Sequence, residues 1–442
     1  MFVVEDRGGA VALMVASLLF LGTWPALLTL LERRGRLPQH TYLDYSVTNL
    51  LAAAVIAIIF GQFGETRPGM PSFFTQLTQD NWPSVLFAMA GGIALSIGNL
   101  ISQYAWAFVG LSVTNIICSS LAVVLGTTMN YFLDGRINRA EILFPGVACF
   151  LVAIFLSSAV HSSNAKDEED KLSMSGFRNA FEHYQSEFSS RDLPLMSRST
   201  IRLSRGIELS SDVADQGVKL LPNQEELENG EEDDFDTGTA EFIVQVEKRR
   251  SIKVFGSSRW LGLGMVLLAG VCFSLFSPAI NLATNDQWRT LRDDVPHLTV
   301  YTAFFYFSVS CFAVGIGLNA RLLYRPVAGV PPSTIGAYAG DWNGRHWALL
   351  AGLLCGFGNG FQFMGGQAAG YAAADAVQVI LSLGSYQLSN ALPLVSTFWG
   401  VILFGEYRRS SRRTYLLLGC MLSMFIVAVV LLMASAAHRK TG

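Results

Sequence analysis

No Gly-Lys pair occurs anywhere in the chain, so it holds no GxxxxGK[ST] loop to cradle a nucleoside triphosphate. That excludes an ATP-driven pump of the phosphate-loop type. HExxH and GxSxG are also missing, and the six histidines are scattered, so an intramembrane enzyme has no support and neither a metal nor a cofactor is expected. The six cysteines (Cys118, Cys149, Cys272, Cys311, Cys355, Cys420) form no CxxC pair and lie inside apolar runs, where small buried hydrophobes are expected. Charge is scarce: 15% of the residues are Asp, Glu, Lys or Arg, against roughly a quarter in a soluble domain. The net charge of −3 points to no partner, and nucleic acid is not expected among the partners. Period-2 alternation is absent, which excludes a membrane β-barrel.

What fills the chain is apolar sequence, 51% of its 442 residues. A helix crossing ~30 Å of hydrocarbon at ~1.5 Å per residue needs about 20 apolar residues. Ten runs approach or exceed that length: Gly9–Leu31, Leu43–Phe60, Val85–Phe108, Leu111–Leu133, Ile142–Val160, Leu261–Leu282, Leu298–Leu318, Trp347–Ala369, Ala376–Phe404 and Tyr415–Ala436. The ninth is too long for one straight span and must tilt, bend or break, with Gly384 and Pro393 as the places to do so. The first follows Glu5, Asp6 and Arg7 and ends in no small-x-small cleavage site, so it is expected to be a retained helix.

Between the fifth and sixth runs, residues 161–258 change character, with 20 Asp plus Glu against 12 Lys plus Arg. Such a polar segment buries too little apolar surface to fold firmly, and most of it is expected to be disordered. A short helix is expected at Glu241–Phe255, carrying Lys248, Arg249, Arg250 and Lys253. This cluster either sits on anionic headgroups or is an ordinary topogenic charge. Ser189-Ser190-Arg191 and Ser197-Arg198-Ser199 offer sites to kinases. The chain thus divides into a five-helix unit (1–160), a central loop (161–258) and a second five-helix unit (259–442). An odd number of spans per unit inserts the two with opposite orientation, as an all-α membrane protein of two inverted repeats. Basic residues concentrate in the loops after the odd-numbered helices, placing the central loop in the cytoplasm and both termini outside.

One phrase occurs twice. Gly98-Asn99, ten residues and Gly110 return as Gly358-Asn359, ten residues and Gly370, and Pro25 has a counterpart in Pro278. Duplicated halves with matched interruptions point to a transporter whose cargo binds between them. Polar residues inside spans are costly and face the interior or a cavity, although close helix packing competes as their role. The candidate cargo contacts are Trp24, Asn99, Gln103, Asn115, Asn359, Gln362, Gln378 and Tyr386. Asp44 and Asp375, each near the start of a helix, are the candidates for carrying a coupling proton. Asp134 and Glu406 are expected in boundary ion pairs with Arg136 and Arg408. No Lys or Arg lies well inside a span, so the cargo expected is a small neutral planar ring recognised by amides and stacked on an aromatic.

These residues resemble the plant ureide permeases. The likeness is carried by Phe20-Leu21-Gly22-Thr23-Trp24-Pro25-Ala26, by the stretch from Glu32 to Tyr45, by Gly98-Asn99-Leu100, by Gly358-Asn359-Gly360-Phe361-Gln362-Phe363 and by Phe398-Trp399-Gly400. It covers both membrane units. The resemblance implies a drug/metabolite-transporter architecture of ten helices in two inverted repeats. It also implies a long cytosolic loop and proton-coupled uptake of allantoin and oxo-heterocycles such as uracil and other nucleobases. A phosphate-loop-like motif associated with some members' central loop is missing here. A sugar or nucleotide-sugar carrier of the same fold and a membrane receptor or scaffold are the competing readings. The membrane expected is the plasma membrane, with an internal membrane as the alternative.

Overall fold

The computed structural model describes residues 7–63, 71–133, 140–174, 236–254, 259–286, 288–293, 295–327, 330–370 and 392–437. Within these the regular structure is all helical, as apolar backbone without water requires. The first half contains α1 (Arg7–Arg33), α2 (Pro38–Ile56, ending in the π-turn Ala57–Gln62), the short α3 (Phe73–Leu77), α4 (Trp82–Val109), α5 (Leu111–Leu133) and α6 (Ala140–Met174). Then follow α7 (Ala240–Arg249), α8 (Arg259–Asn285), α9 (Val300–Tyr324), the short α10 (Ile335–Gly340), α11 (Arg345–Gly370), α12 (Leu392–Phe404) and α13 (Arg412–Ala437). Eight of them, α1, α2, α4, α5, α6, α8, α9 and α11, are long and apolar enough to cross a bilayer. The ninth run falls largely on residues 371–391, so the break expected at Gly384 lies outside the described residues, and Pro393 sits in the first turn of α12.

One boundary differs from expectation. Helix α6 does not stop at residue 160 but continues to Met174, because its polar end docks on the turn between α12 and α13. Asp167 accepts from Ser411 N (2.9 Å) and Thr414 Oγ1 (2.6 Å), and Lys171 Nζ donates to the Arg408 carbonyl (3.1 Å). Charge that reads as loop in sequence is thereby satisfied within the protein. The short helix expected at Glu241–Phe255 is present as α7, over Ala240–Arg249, capped by Thr239 Oγ1, which accepts from Phe242 N (3.3 Å). The expectation of disorder otherwise falls on residues 175–235 and 255–258, which lie outside the described residues, as does Asp134. Glu406 makes no boundary pair with Arg408. Its carboxylate caps α5 instead, accepting from Leu111 N (2.7 Å), Ser112 N (3.2 Å) and Ser112 Oγ (2.5 Å), where the helix N-terminus favours a negative group.

The halves interleave. Helix α4 packs on α8 and α9, and α5 packs on α8; correspondingly α11 packs on α1 and α2, and α12 packs on α1. The pairs α2–α9, α5–α12 and α6–α13 join like to like. Exchanging each helix for the one at the same place in the other half maps these pairings onto one another. The repeated glycines explain the close approach: a Cβ at Gly98 would lie 2.6 Å from Phe273 on α8, and one at Gly358 would lie 2.8 Å from Leu21 on α1. Each glycine lets its helix down onto the partner, and the asparagine after it is carried into the space between the halves.

Candidate functional site

Between the halves lies a chamber with a water-accessible volume of about 140 Å³. Helix α1 contributes Leu21, Trp24 and Pro25; α4 contributes Leu95, Asn99, Ser102 and Trp106; α5 contributes Asn115, Cys118, Ser119 and Ala122. From the second half come Phe273 and Phe276 on α8, and Cys355, Asn359 and Gln362 on α11. The described lining carries polar and aromatic groups and no charged side chain. Spacing explains the α4 set, since steps of three and four residues return to one face of a helix. A volume of this order is the size of an engineered cavity that takes one benzene ring.

Five of the expected contacts, Trp24, Asn99, Asn115, Asn359 and Gln362, therefore meet in one wall. Gln103 does not join them: it lies about 40° further round α4 from Asn99, and its Nε2 donates to the Pro38 carbonyl at 3.0 Å. Gln378, Tyr386 and Asp375 lie outside the described residues.

The wall is organised by residues outside the expected set, Tyr45, Trp106 and Cys355. Tyr45 Oη accepts from Asn49 Nδ2 (3.2 Å) and Asn99 Nδ2 (3.1 Å), and its own hydrogen goes to Cys355 Sγ (2.9 Å). Asn359 Nδ2 also meets Cys355 Sγ (3.3 Å). Trp106 Nε1 donates to Asn115 Oδ1 at 3.1 Å across the α4–α5 turn, which Gly110 makes at φ 93°, a left-handed conformation that suits glycine. Trp24 stacks at a tilt on Tyr45 (5.2 Å between centroids) and edge-on to Trp106 (5.5 Å). Asn99 and Asn359 spend an N–H on the protein, so each retains an amide oxygen as an acceptor. Sequence carried a signal for Trp106, which is seven residues from Asn99 and so on the same face; Tyr45 had only its spacing of four to Asn49.

Asp44 is not in the chamber. Arg36 Nη2 (2.6 Å) and Arg345 Nε (3.3 Å) hold one of its oxygens, and the Tyr338 hydroxyl donates to the other (2.7 Å). Burial and the bond to Asp44 push the Tyr338 hydroxyl up to about 12, which keeps its proton in place to donate. His40 Nδ1 meets Asp341 Oδ2 alongside at 2.7 Å. This ionic cluster lies at the end of the bundle where residues 236–254 dock. There Arg250 Nε and Nη2 clasp the Glu32 carboxylate (3.1 and 3.0 Å), and Ile252 N also donates to it (3.1 Å). Burial alone would lower the Arg250 guanidinium, but Glu32 beside it raises it. The Ile252 side chain is fully buried and joins the apolar cluster that contains Trp24, Tyr45 and Trp106.

A family model described as ureide permease matches residues 41–435. The chain is 60% identical to "Ureide permease 2" of Arabidopsis thaliana over 440 residues, covering 100% of both. It is 57% identical to "Ureide permease 5" of Arabidopsis thaliana, over 100% of this chain and 97% of that protein. "Probable ureide permease A3" of Vigna unguiculata is 55% identical over 93% of this chain and 99% of its own length. No solved structure matches the chain.

Proposed function

The chain belongs to the ureide permease family, an integral multi-pass membrane transporter and not an enzyme, and from that premise we propose that it carries ureides such as allantoin together with planar oxo-heterocycles such as uracil and other nucleobases. The observation that carries this reading is the chamber, which is sized for about one ring and whose described lining is uncharged and bears amides and two tryptophans. A cyclic ureide alternates C=O and N–H, so it needs donors and acceptors side by side, and Asn99, Asn115, Asn359 and Gln362 supply both kinds. Trp24 and Trp106 give faces on which such a ring stacks. A nucleotide-sugar would want a fixed cation, and the arginines lie at the bundle's end instead.

Movement across the membrane is by alternating access. The two halves are inverted five-helix repeats, with α12 belonging to the ninth span and α13 to the tenth, and they rock about the chamber. The exchange of helix pairings between halves supports this arrangement. Uptake is driven by protons, with Asp44 acting in its cluster with Arg36, Arg345 and Tyr338 rather than at the cargo, or with Asp375. The plasma membrane is its site of action. Gln378 and Tyr386 complete the cargo contacts from the second half, and kinases act on the central loop.

Uptake of labelled allantoin and uracil, in cells lacking their own permeases for both, tests the reading at two external pH values. Saturable uptake of either compound, stronger at acidic pH, is the expected result. Asn359→Ala and Gln362→Ala should each raise the apparent KM several-fold, and unchanged KM in both would move the binding site elsewhere. Asp44→Asn or Asp375→Asn should abolish the pH-driven accumulation. Persistence of accumulation in both variants would show that neither carries the proton.

A further inference from the structure

An indole nitrogen can only donate a hydrogen bond. The Asn115 atom 3.1 Å from Trp106 Nε1 is therefore the amide oxygen, whichever way an isolated asparagine would turn. The Asn115 amide nitrogen is then forced to the other side of the group. It is buried in the chamber wall, on a residue 7% exposed, and has no partner among the described residues. A buried N–H left without an acceptor is costly, and cargo bearing an acceptor relieves that cost.

We propose that Trp106 is a specificity-determining positioning residue: by holding the Asn115 oxygen it fixes Asn115 as a hydrogen-bond donor, so the chamber accepts a ring presenting a carbonyl at that point and rejects one presenting an amino group. The proposal rests on the oxo-heterocycle reading above and adds to it the polarity of one contact. An amino group placed there would set donor against donor. Because the rejection comes from polar groups left unpaired, it discriminates better than a difference in size would. With phenylalanine at position 106 the ring would still pack against Trp24, but Asn115 would be free to turn over and offer its oxygen.

The test compares uracil with cytosine, which carries an amino group in place of the carbonyl at carbon 4 and a bare nitrogen in place of the neighbouring N–H. Both are labelled and offered to the full-length protein in cells lacking their own carriers for either, with the amount at the membrane quantified. The wild type should take uracil in preference to cytosine. Trp106→Phe should cut that preference about tenfold through KM, the difference expected from one neutral hydrogen bond. Trp106→His, which keeps a ring N–H, should retain more of the preference than phenylalanine does. Asn115→Asp, the same shape without the N–H2, should lose uracil selectivity at least as far, and it decides the matter if the phenylalanine variant fails to reach the membrane. A preference unchanged in Trp106→Phe, both substrates weakened equally, or a wild type that favours cytosine would overturn the assignment. A wild type that carries neither these bases nor allantoin would instead sink the functional reading beneath it.

Discussion

Tyr45 shows how one residue sets the others in this chamber. Its hydroxyl accepts from two asparagines and donates to a thiol, so all its hydrogen-bonding capacity is used. Tyr45→Phe would leave the Asn49 and Asn99 amides without an acceptor in a buried site, at about 1–3 kcal/mol for each group left unsatisfied. The purified variant should unfold at a lower temperature and bind cargo more weakly, as Asn99 loses its fixed pose. A melting curve and an uptake KM both equal to those of the wild type would show the hub to be dispensable. At this scale much was legible beforehand, because an amide inside an apolar run has few places to go. Asn99, Asn115, Asn359 and Gln362 all reach the chamber, whereas Gln103, one helical step from Asn99, is turned to the Pro38 carbonyl by the packing of α2.

Among elements, the segment ending the central loop does what its composition conceals. Residues 236–254 are polar and basic, yet they deliver a fully buried isoleucine and a bidentate ion pair to the ends of α1 and α4. Arg250 Nη2 also donates to the Ala107 carbonyl at 3.2 Å, and Thr237 accepts from Arg408 Nη1 at 2.8 Å. The segment therefore ties the first half to the α12–α13 turn of the second. Removing one partner of a buried pair strands the other charge, at about 3–5 kcal/mol, while replacing both by neutral groups costs far less. Arg250→Ala should lower the thermal midpoint markedly and expose residues 236–254 to protease. Joint replacement as Glu32→Gln with Arg250→Met should recover part of the loss. If the double variant is no better than the single one, the ion pair is not what anchors the segment.

For the molecule as a whole, the reciprocal pairing of helices is the strongest sign of duplicated architecture. A unit with an odd number of spans must reverse direction on repetition, and this has a direct consequence for topology. A protease site introduced within residues 175–235 and an epitope at the C-terminus should be accessible on opposite faces of sealed vesicles. Accessibility of both on the same face would break the five-plus-five arrangement and the rocking mechanism built on it. The ionic groups fit that picture: Asp44 with Arg36 and Arg345, and Glu32 with Arg250, gather at the loop-bearing end and leave the described lining of the chamber uncharged.

Sequence alone determined that the chain is a helical multi-pass membrane protein, because hydrocarbon thickness sets helix length, and the Gly-Asn phrase recurring within matched apolar runs pointed to a repeat of its halves. It also determined the neutral, amide-rich character of the interior, since a cation inside a span is too costly to hide. Only the tertiary structure decided which amides face one another, that Asp44 belongs to an arginine cluster away from the chamber, and that the Trp106 N–H points Asn115 in one direction. Those facts depend on contacts between helices distant in the chain. A rotation of a few tens of degrees about a helix axis separates a chamber residue from a packing one, and the periodicity of a single helix does not contain that angle.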